Sequence, residues 1–257
     1  MSEAESSEPF WEGGEACVFY VLPDALPDEG FLGRYGGLLN LEERSRYDRF
    51  IFAHSKREFL LGRALLKIGL SMLLHLRPEK ITFSMSANGK PQLEGVEAKG
   101  IEFNLTHTRG LVAVAFTRGL PIGIDAEIVE PLRANSGIAE RFFSVPEIEY
   151  LSKVEPAKYD RAFFQFWTLK EAYIKARGLG MSLPLKHFDM RLPRVGDQAI
   201  TIGFAPELED DPSQWQFHSC EPSDRHVLSV AILRDSVPDV RINVKRLTLP
   251  FDFKFEI

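Results

Sequence analysis

Three carboxylates stand out for the chemistry that their spacing allows. Asp125 and Glu127 lie in Pro121-Ile-Gly-Ile-Asp-Ala-Glu-Ile-Val129, and Glu171 lies in Phe166-Trp-Thr-Leu-Lys-Glu-Ala-Tyr-Ile-Lys-Ala-Arg177. The first segment reads as a strand from Ile122 to Val129. Side chains alternate along a strand, so Asp125 and Glu127 share one face while Ile124, Ala126 and Ile128 take the other. The second segment reads as a helix, with Glu171 one turn before Lys175. Two acids from a strand and one from a helix make an incomplete oxygen shell. That suits Mg²⁺, which keeps waters and shares substrate phosphates instead of demanding an all-protein cage.

Two polar segments could handle anions. Phe103-Asn-Leu-Thr-His-Thr108 reads as a strand running into a polar turn, where the Thr106 hydroxyl, turn amides and a protonated His107 would receive a phosphate. Asn88-Gly-Lys-Pro91 is a tight-turn signal, with Lys90 at its tip and Pro91 setting the exit direction. Between Arg44 and Lys67 the cations Arg44, Arg46, Arg49, Lys56, Arg57, Arg63 and Lys67 face only Asp48, Glu58 and no other acid. Glu147 follows Ser144 by three residues and reads as a capping-box acid with a structural job.

The elements that must position these groups are legible as hydrophobic patterns. A strand is expected over Ala16–Leu22, and a helix capped by Asn40 and Glu43 should run to about Phe52. A long helix, capped by Ser55 with Glu58, should run from Lys56 to Leu76, its stripe being Leu60, Leu61, Ala64, Leu65, Ile68 and Met72. Strands follow at Ile81–Met85, Ile101–Leu105 and Leu111–Phe116. After the acid-bearing strand come a helix from Ser144 to about Lys153, the Phe163–Arg177 helix stopped by Gly178 and Gly180, and strands at Ala199–Phe204, Gln214–Cys220, Val227–Leu233 and Val240–Thr248. Helices precede a meander of strands twice over. The expected organisation is therefore α+β: a disordered tail at 1–9, a first half at 10–120, and a second half at 121–257 that carries the acids at the interface between them.

Composition excludes several classes. With 257 residues, 44% of them apolar, the chain can bury a core, and no apolar run is long enough to span a membrane. A net charge of −6 argues against nucleic acid or anionic lipid as a partner. Cys17 and Cys220 are the only cysteines and read as reduced thiols of a cytoplasmic protein.

The motifs Gly89-Lys-Pro91, Phe103-Asn-Leu-Thr-His107, Pro121-Ile-Gly-Ile-Asp-Ala-Glu127, Arg141-Phe-Phe-Ser-x-x-Glu147, Trp167-x-x-Lys-Glu-Ala-x-x-Lys175 and Gly180-x-Ser-Leu-Pro-Leu185 occur in the order and approximate spacing of Sfp-type 4′-phosphopantetheinyl transferases. The resemblance covers about residues 40–190. It implies two pseudo-symmetric α+β halves, the 4′-phosphopantetheinyl transferase fold, with coenzyme A in the cleft between them as co-substrate. It also implies transfer of the phosphopantetheine arm to a serine of an acyl or peptidyl carrier protein, by a chain acting as a monomer.

Carried over by position, the resemblance makes Asp125, Glu127 and Glu171 the ligands of Mg²⁺, with Mn²⁺ as an alternative. It makes Lys175 the cation on the pyrophosphate, and Lys90, Pro91, Thr106, His107 and Asp125, with Arg46 and Arg57, the contacts to coenzyme A. Glu171 and Lys175 become the catalytic pair, although a metal-bound water could replace Glu171 as base. Glu43 departs from the family, standing where some members carry a basic residue, and Ala126 replaces a branched one. A Mg²⁺-dependent pyrophosphatase and a silent nucleotide- or carrier-binding module are the rival readings.

Overall fold

The computed structural model describes residues 15–23, 31–85, 91–95, 100–131, 136–178, 183–193, 199–235 and 237–248. Two helices of equal length organise the chain. Helix α3 (Ala53–Leu74) and helix α6 (Pro156–Arg177) each span 22 residues and each packs on its own sheet. In the first sheet, β5 (Leu111–Arg118) lies between β1 (Glu15–Val21) and β4 (Ile101–Thr108); in the second, β10 (His226–Leu233) lies between β6 (Ile122–Ile128) and β9 (Trp215–Ser223). Each half thus repeats one order: opening strand, last strand, penultimate strand. Each also carries a small hairpin after its long helix, β2 (Phe83–Met85) with β3 (Pro91–Leu93) and β7 (Phe188–Arg191) with β8 (Thr201–Phe204). The expected α+β fold of two related halves is the observed one.

One apolar cluster fills the space under each long helix. A third, containing Ala16, Val18, Ala113, Ala115, Ile124, Ala126, Leu228 and Val230, joins the two sheets. The period-2 pattern explains it: Ile122, Ile124, Ala126 and Ile128 turn to the other sheet, which sends Asp125 to the α6 side. Gly123 faces α6 as well. A Cβ there would collide with the Ala172 carbonyl oxygen and the Ala176 amide, so only glycine lets the helix come this close.

A short helix directly precedes the long one in each half, α2 (Leu41–Arg49) and α5 (Val145–Leu151), and the capping acid of each is pulled into the core. Glu43 Oε2 accepts from the Asn40 amide at 2.9 Å and from Lys67 Nζ at 3.1 Å; Glu147 accepts from the Ser144 amide at 2.8 Å and from Lys170 Nζ at 2.8 Å. Lys67 continues to the Leu38 carbonyl, and Lys170 to those of Leu185 and Phe188. Both clamps are buried ion pairs whose spare hydrogen bonds are filled, the condition under which such pairs are tolerated.

Several expectations are corrected. Helix α3 begins at Ala53 after Phe52, which supplies no side-chain cap, so Ser55 lies inside the first turn and not at the cap. Glu58 Oε1 instead accepts the Gly110 amide at 3.2 Å, tying α3 to the β4–β5 turn. Helix α6 starts at Pro156, seven residues before the expected Phe163, and ends on Gly178 at φ 66° as expected. The last strand, β11 (Arg241–Arg246), was read with the second half but pairs parallel with β1, in the first sheet. Two short helices, α1 (Phe31–Tyr35) and α4 (Ser136–Phe142), have no counterpart in the sequence reading. The tail at 1–9, the Asn88–Lys90 turn and the Gly180–Ser182 part of the last motif lie outside the described residues.

Candidate active site at the edge of the second sheet

Strand β6 is the edge of its sheet, and the edge of the first sheet, β4, lies against it. Edge amides and carbonyls need partners. At Ile124 side chains supply them: Asn104 Oδ1 accepts from its amide at 3.0 Å, and Lys175 Nζ donates to its carbonyl at 3.1 Å. The same lysine reaches Asp125 Oδ1 at 2.7 Å and Thr106 Oγ1 at 3.4 Å. Thr106 donates to Asp125 Oδ1 at 3.3 Å, and Thr108 donates to Glu127 Oε2 at 3.4 Å. Two hydroxyls spaced by two on β4 therefore face two acids spaced by two on β6.

The electrostatics is that of a site short of positive charge. Burial pushes the Asp125 carboxyl above its ordinary range, opposed by Lys175 and by hydrogen bonds from Lys175, Thr106 and the Ala126 amide. Burial, then the negative charge of Asp125, raises Glu171; Lys175 opposes this and Glu127 adds to it. Asp125 Oδ2 is buried and makes no hydrogen bond. An orphaned carboxylate oxygen beside two further acids, with only oxygen donors at hand, fits a hard divalent cation that takes few protein ligands. Among the described residues no three His, Cys, Asp or Glu side chains converge into a ready-made cluster. Asp125 Oδ1 pairs with Lys175.

His107 borders this group with an exposed ring. Desolvation of its inner side, followed by the charges of Lys175, Arg46 and Arg63, lowers its pKa. The protonated imidazole expected from the sequence is thus disfavoured until an anion balances the cations around it. The expected polar turn is absent too, since β4 stays extended through Thr108 and the turn falls at Arg109 and Gly110. Arg46 and Arg63 both stand over the Phe59 ring, each 5.4 Å from its centroid. Burial lowers the Arg63 pKa, countered by Glu43.

The residues expected from the sequence separate accordingly. Asp125, Glu127, Glu171, Lys175, Thr106 and His107 come together, and Arg46 lies within electrostatic reach of them. Arg57 sits about 120° around α3 from Arg63 at roughly 100° per residue, and its Nη1 donates to the Pro23 carbonyl at 3.3 Å. Lys90 and the side chain of Pro91 lie outside the described residues. Sequence reasoning missed Asn104 and Thr108 as partners of β6. The available signal was the shared two-residue period of Asn104, Thr106 and Thr108 with the acids opposite.

Residues 121–231 match the model of the 4′-phosphopantetheinyl transferase superfamily, and residues 29–118 match that of a 4′-phosphopantetheinyl transferase N-terminal domain. The 4′-phosphopantetheinyl transferase HetI of Nostoc sp. is 32% identical over 195 residues, 76% of this chain and 78% of that protein. The transferase psf-1 of Bacillus pumilus is 33% identical over 185 residues, 72% of this chain and 76% of its own. Sfp of Bacillus subtilis is 30% identical over 206 residues, covering 80% and 87%.

Proposed function

The chain belongs to the 4′-phosphopantetheinyl transferase superfamily, and we propose that it moves the 4′-phosphopantetheine group of coenzyme A onto a serine of an acyl or peptidyl carrier protein, releasing 3′,5′-ADP. The observation that carries the proposal is the polar edge between β4 and β6, where one lysine, one orphaned carboxylate oxygen and two further acids meet a cationic wall from the other half.

Asp125, Glu127 and Glu171 would hold Mg²⁺ or Mn²⁺, which when bound shields the pyrophosphate and stabilises charge developing on the transferred phosphoryl. The chain's own groups do the rest. Arg46, Arg63 and His107 face the nucleotide phosphates from the first half. The carrier serine Oγ attacks the phosphorus on the pantetheine side, and the bond from that phosphorus to the bridging oxygen breaks. The serine proton passes to the Glu171 carboxylate or to water. Lys175 offsets charge on the departing nucleotide from its place beside Asp125.

Both halves of one chain contribute to the site, which supports a monomer as the working unit. The thiols of Cys17 and Cys220, each raised by burial to about 11, support a reducing compartment such as the cytoplasm. The test is the mass of an apo carrier protein after incubation with the chain, coenzyme A and Mg²⁺. A phosphopantetheine adduct on the carrier supports transfer. Coenzyme A cleaved equally well without carrier makes the chain a hydrolase and overturns it.

A further inference from the structure

We infer that Asn104 is a positioning residue for this reaction, a pin that sets the register of the first half's edge strand on the second half's. The inference rests on the transferase reading above for its kinetic consequences only. Strand β4 offers three even-numbered side chains to β6 in increasing order: Asn104 to Ile124, Thr106 to Asp125 and Thr108 to Glu127. The two threonine contacts are 3.3 and 3.4 Å long and join hydroxyls to flexible acids. The Asn104 contact is 3.0 Å long and joins a short side chain to a main-chain amide. Of the three, this is the one that reaches the β6 backbone, so it resists sliding of one strand along the other most directly, while His226 Nε2 on the Arg109 carbonyl at 2.9 Å holds the turn beyond β4.

Its location matters because of what flanks it. Ile124 directly precedes Asp125, and its carbonyl is held by Lys175 from α6. Asn104 from the first half and Lys175 from α6 therefore grip the same residue, one at its amide and the other at its carbonyl. Phe103 and Leu105, on either side of Asn104, pack into the core under α3, so the pin is seated on a rigid strand. Thr106 and His107 follow on the same strand. A shift of β4 would thus move them against Asp125 and Glu127, separating the anion-facing groups from the acids they must work with. Misplacement of about 1 Å by a change remote from the chemistry can cost on the order of a hundredfold in rate.

The experiment compares wild type, Asn104→Leu and Asn104→Asp in the full chain. Leucine keeps the volume and lacks the acceptor; aspartate keeps an acceptor at the same reach. In Asn104→Leu we expect the Ile124 amide to exchange with solvent at least about tenfold faster, because its one hydrogen bond is gone. The kcat should fall about tenfold and the concentration of Mg²⁺ for half-activation should rise, while affinity for coenzyme A in EDTA holds within error and the melting temperature drops by only a few degrees, the cost of one unpaired amide. Asn104→Asp should restore Ile124 protection and most of kcat.

Unchanged Ile124 exchange in Asn104→Leu removes the pin. A parallel loss of melting temperature, coenzyme A affinity and kcat makes Asn104 merely structural and also overturns the inference, as does failure of aspartate to rescue. If wild type itself modifies no carrier, the transferase reading fails, and the exchange measurement still decides the pin.

Discussion

The two halves place different chemistry on one frame. Lys67 lies fourteen residues after the first residue of α3, and Lys170 fourteen after the first of α6; each pairs with the capping acid of the short helix before it. One residue further on, the first half has Ile68 and the second Glu171. Four residues beyond that, the first half has Met72 and the second Lys175. In the first half these positions, with Phe19, Leu65, Gly69, Lys245 and Leu247, line a small, mostly apolar pocket, and the outer edge of β1 is filled by β11. In the second half the outer edge of β6 meets side chains instead of a strand. A main-chain edge must find partners. Where a strand supplies them the surroundings become core, and where polar side chains supply them titratable groups gather.

The largest effect should come from the acids. Asp125→Ala and Glu171→Gln should each lower carrier modification by about a hundredfold or more, and Glu127→Gln by less, since Thr108 and water can take its place. Met72→Ala, at the position matching Lys175, should cost roughly 1–3 kcal/mol of stability, because Met72 is only partly buried, and leave the rate per folded molecule unchanged. A rate loss there equal to that of Lys175→Met would break the asymmetry.

Next come the matching clamps. Lys170→Met strands the fully buried Glu147 carboxylate and should destabilise the fold by about 3–5 kcal/mol in urea titration. Lys67→Met should cost less, about 1–3 kcal/mol, because Glu43 keeps Arg63 at 3.5 Å. Equal losses would mean that Arg63 contributes nothing to its clamp.

A smaller effect concerns pH. Burial and Asp125 hold the Glu171 carboxyl above its ordinary range. A carboxyl raised on folding costs stability above its folded pKa, and the cost disappears below the unfolded value. Glu171→Gln should therefore raise the melting temperature in EDTA at pH 8 and not at pH 4. A shift of the same size at both would place the penalty elsewhere than in charge.

The smallest effect belongs to the outer basic surface. Arg44 pairs with Asp48, while Ile51 and Phe52, just past the end of α2, are 89% and 63% exposed, a surface suited to an acidic, partly apolar carrier. Arg49→Glu should slow carrier modification two- to threefold below about 0.1 M salt and leave coenzyme A binding intact. No change at any salt would move carrier docking off α2.

What the sequence determined by itself was whatever a few neighbouring residues decide. Asn40 with Glu43, the glycine stop at 178 and the alternation that puts Asp125 and Glu127 on one face all rest on contacts within about four residues, and all three are observed. The ordered motifs identified the family as well. Tertiary structure alone decided the partners of groups whose local pattern allowed several outcomes. Ser55 and Glu58 have the spacing of a capping box, yet Glu58 bonds to Gly110 because packing α3 on the sheet buries that amide beside it. The Val240–Thr248 pattern marks a strand without saying which edge it fills, and it crosses to β1. Asn104 reads as one polar residue in a strand until the second sheet brings the unpaired Ile124 amide to it. Alternation and capping are set by local backbone geometry, whereas an edge acquires its partner only when two separately folded surfaces meet.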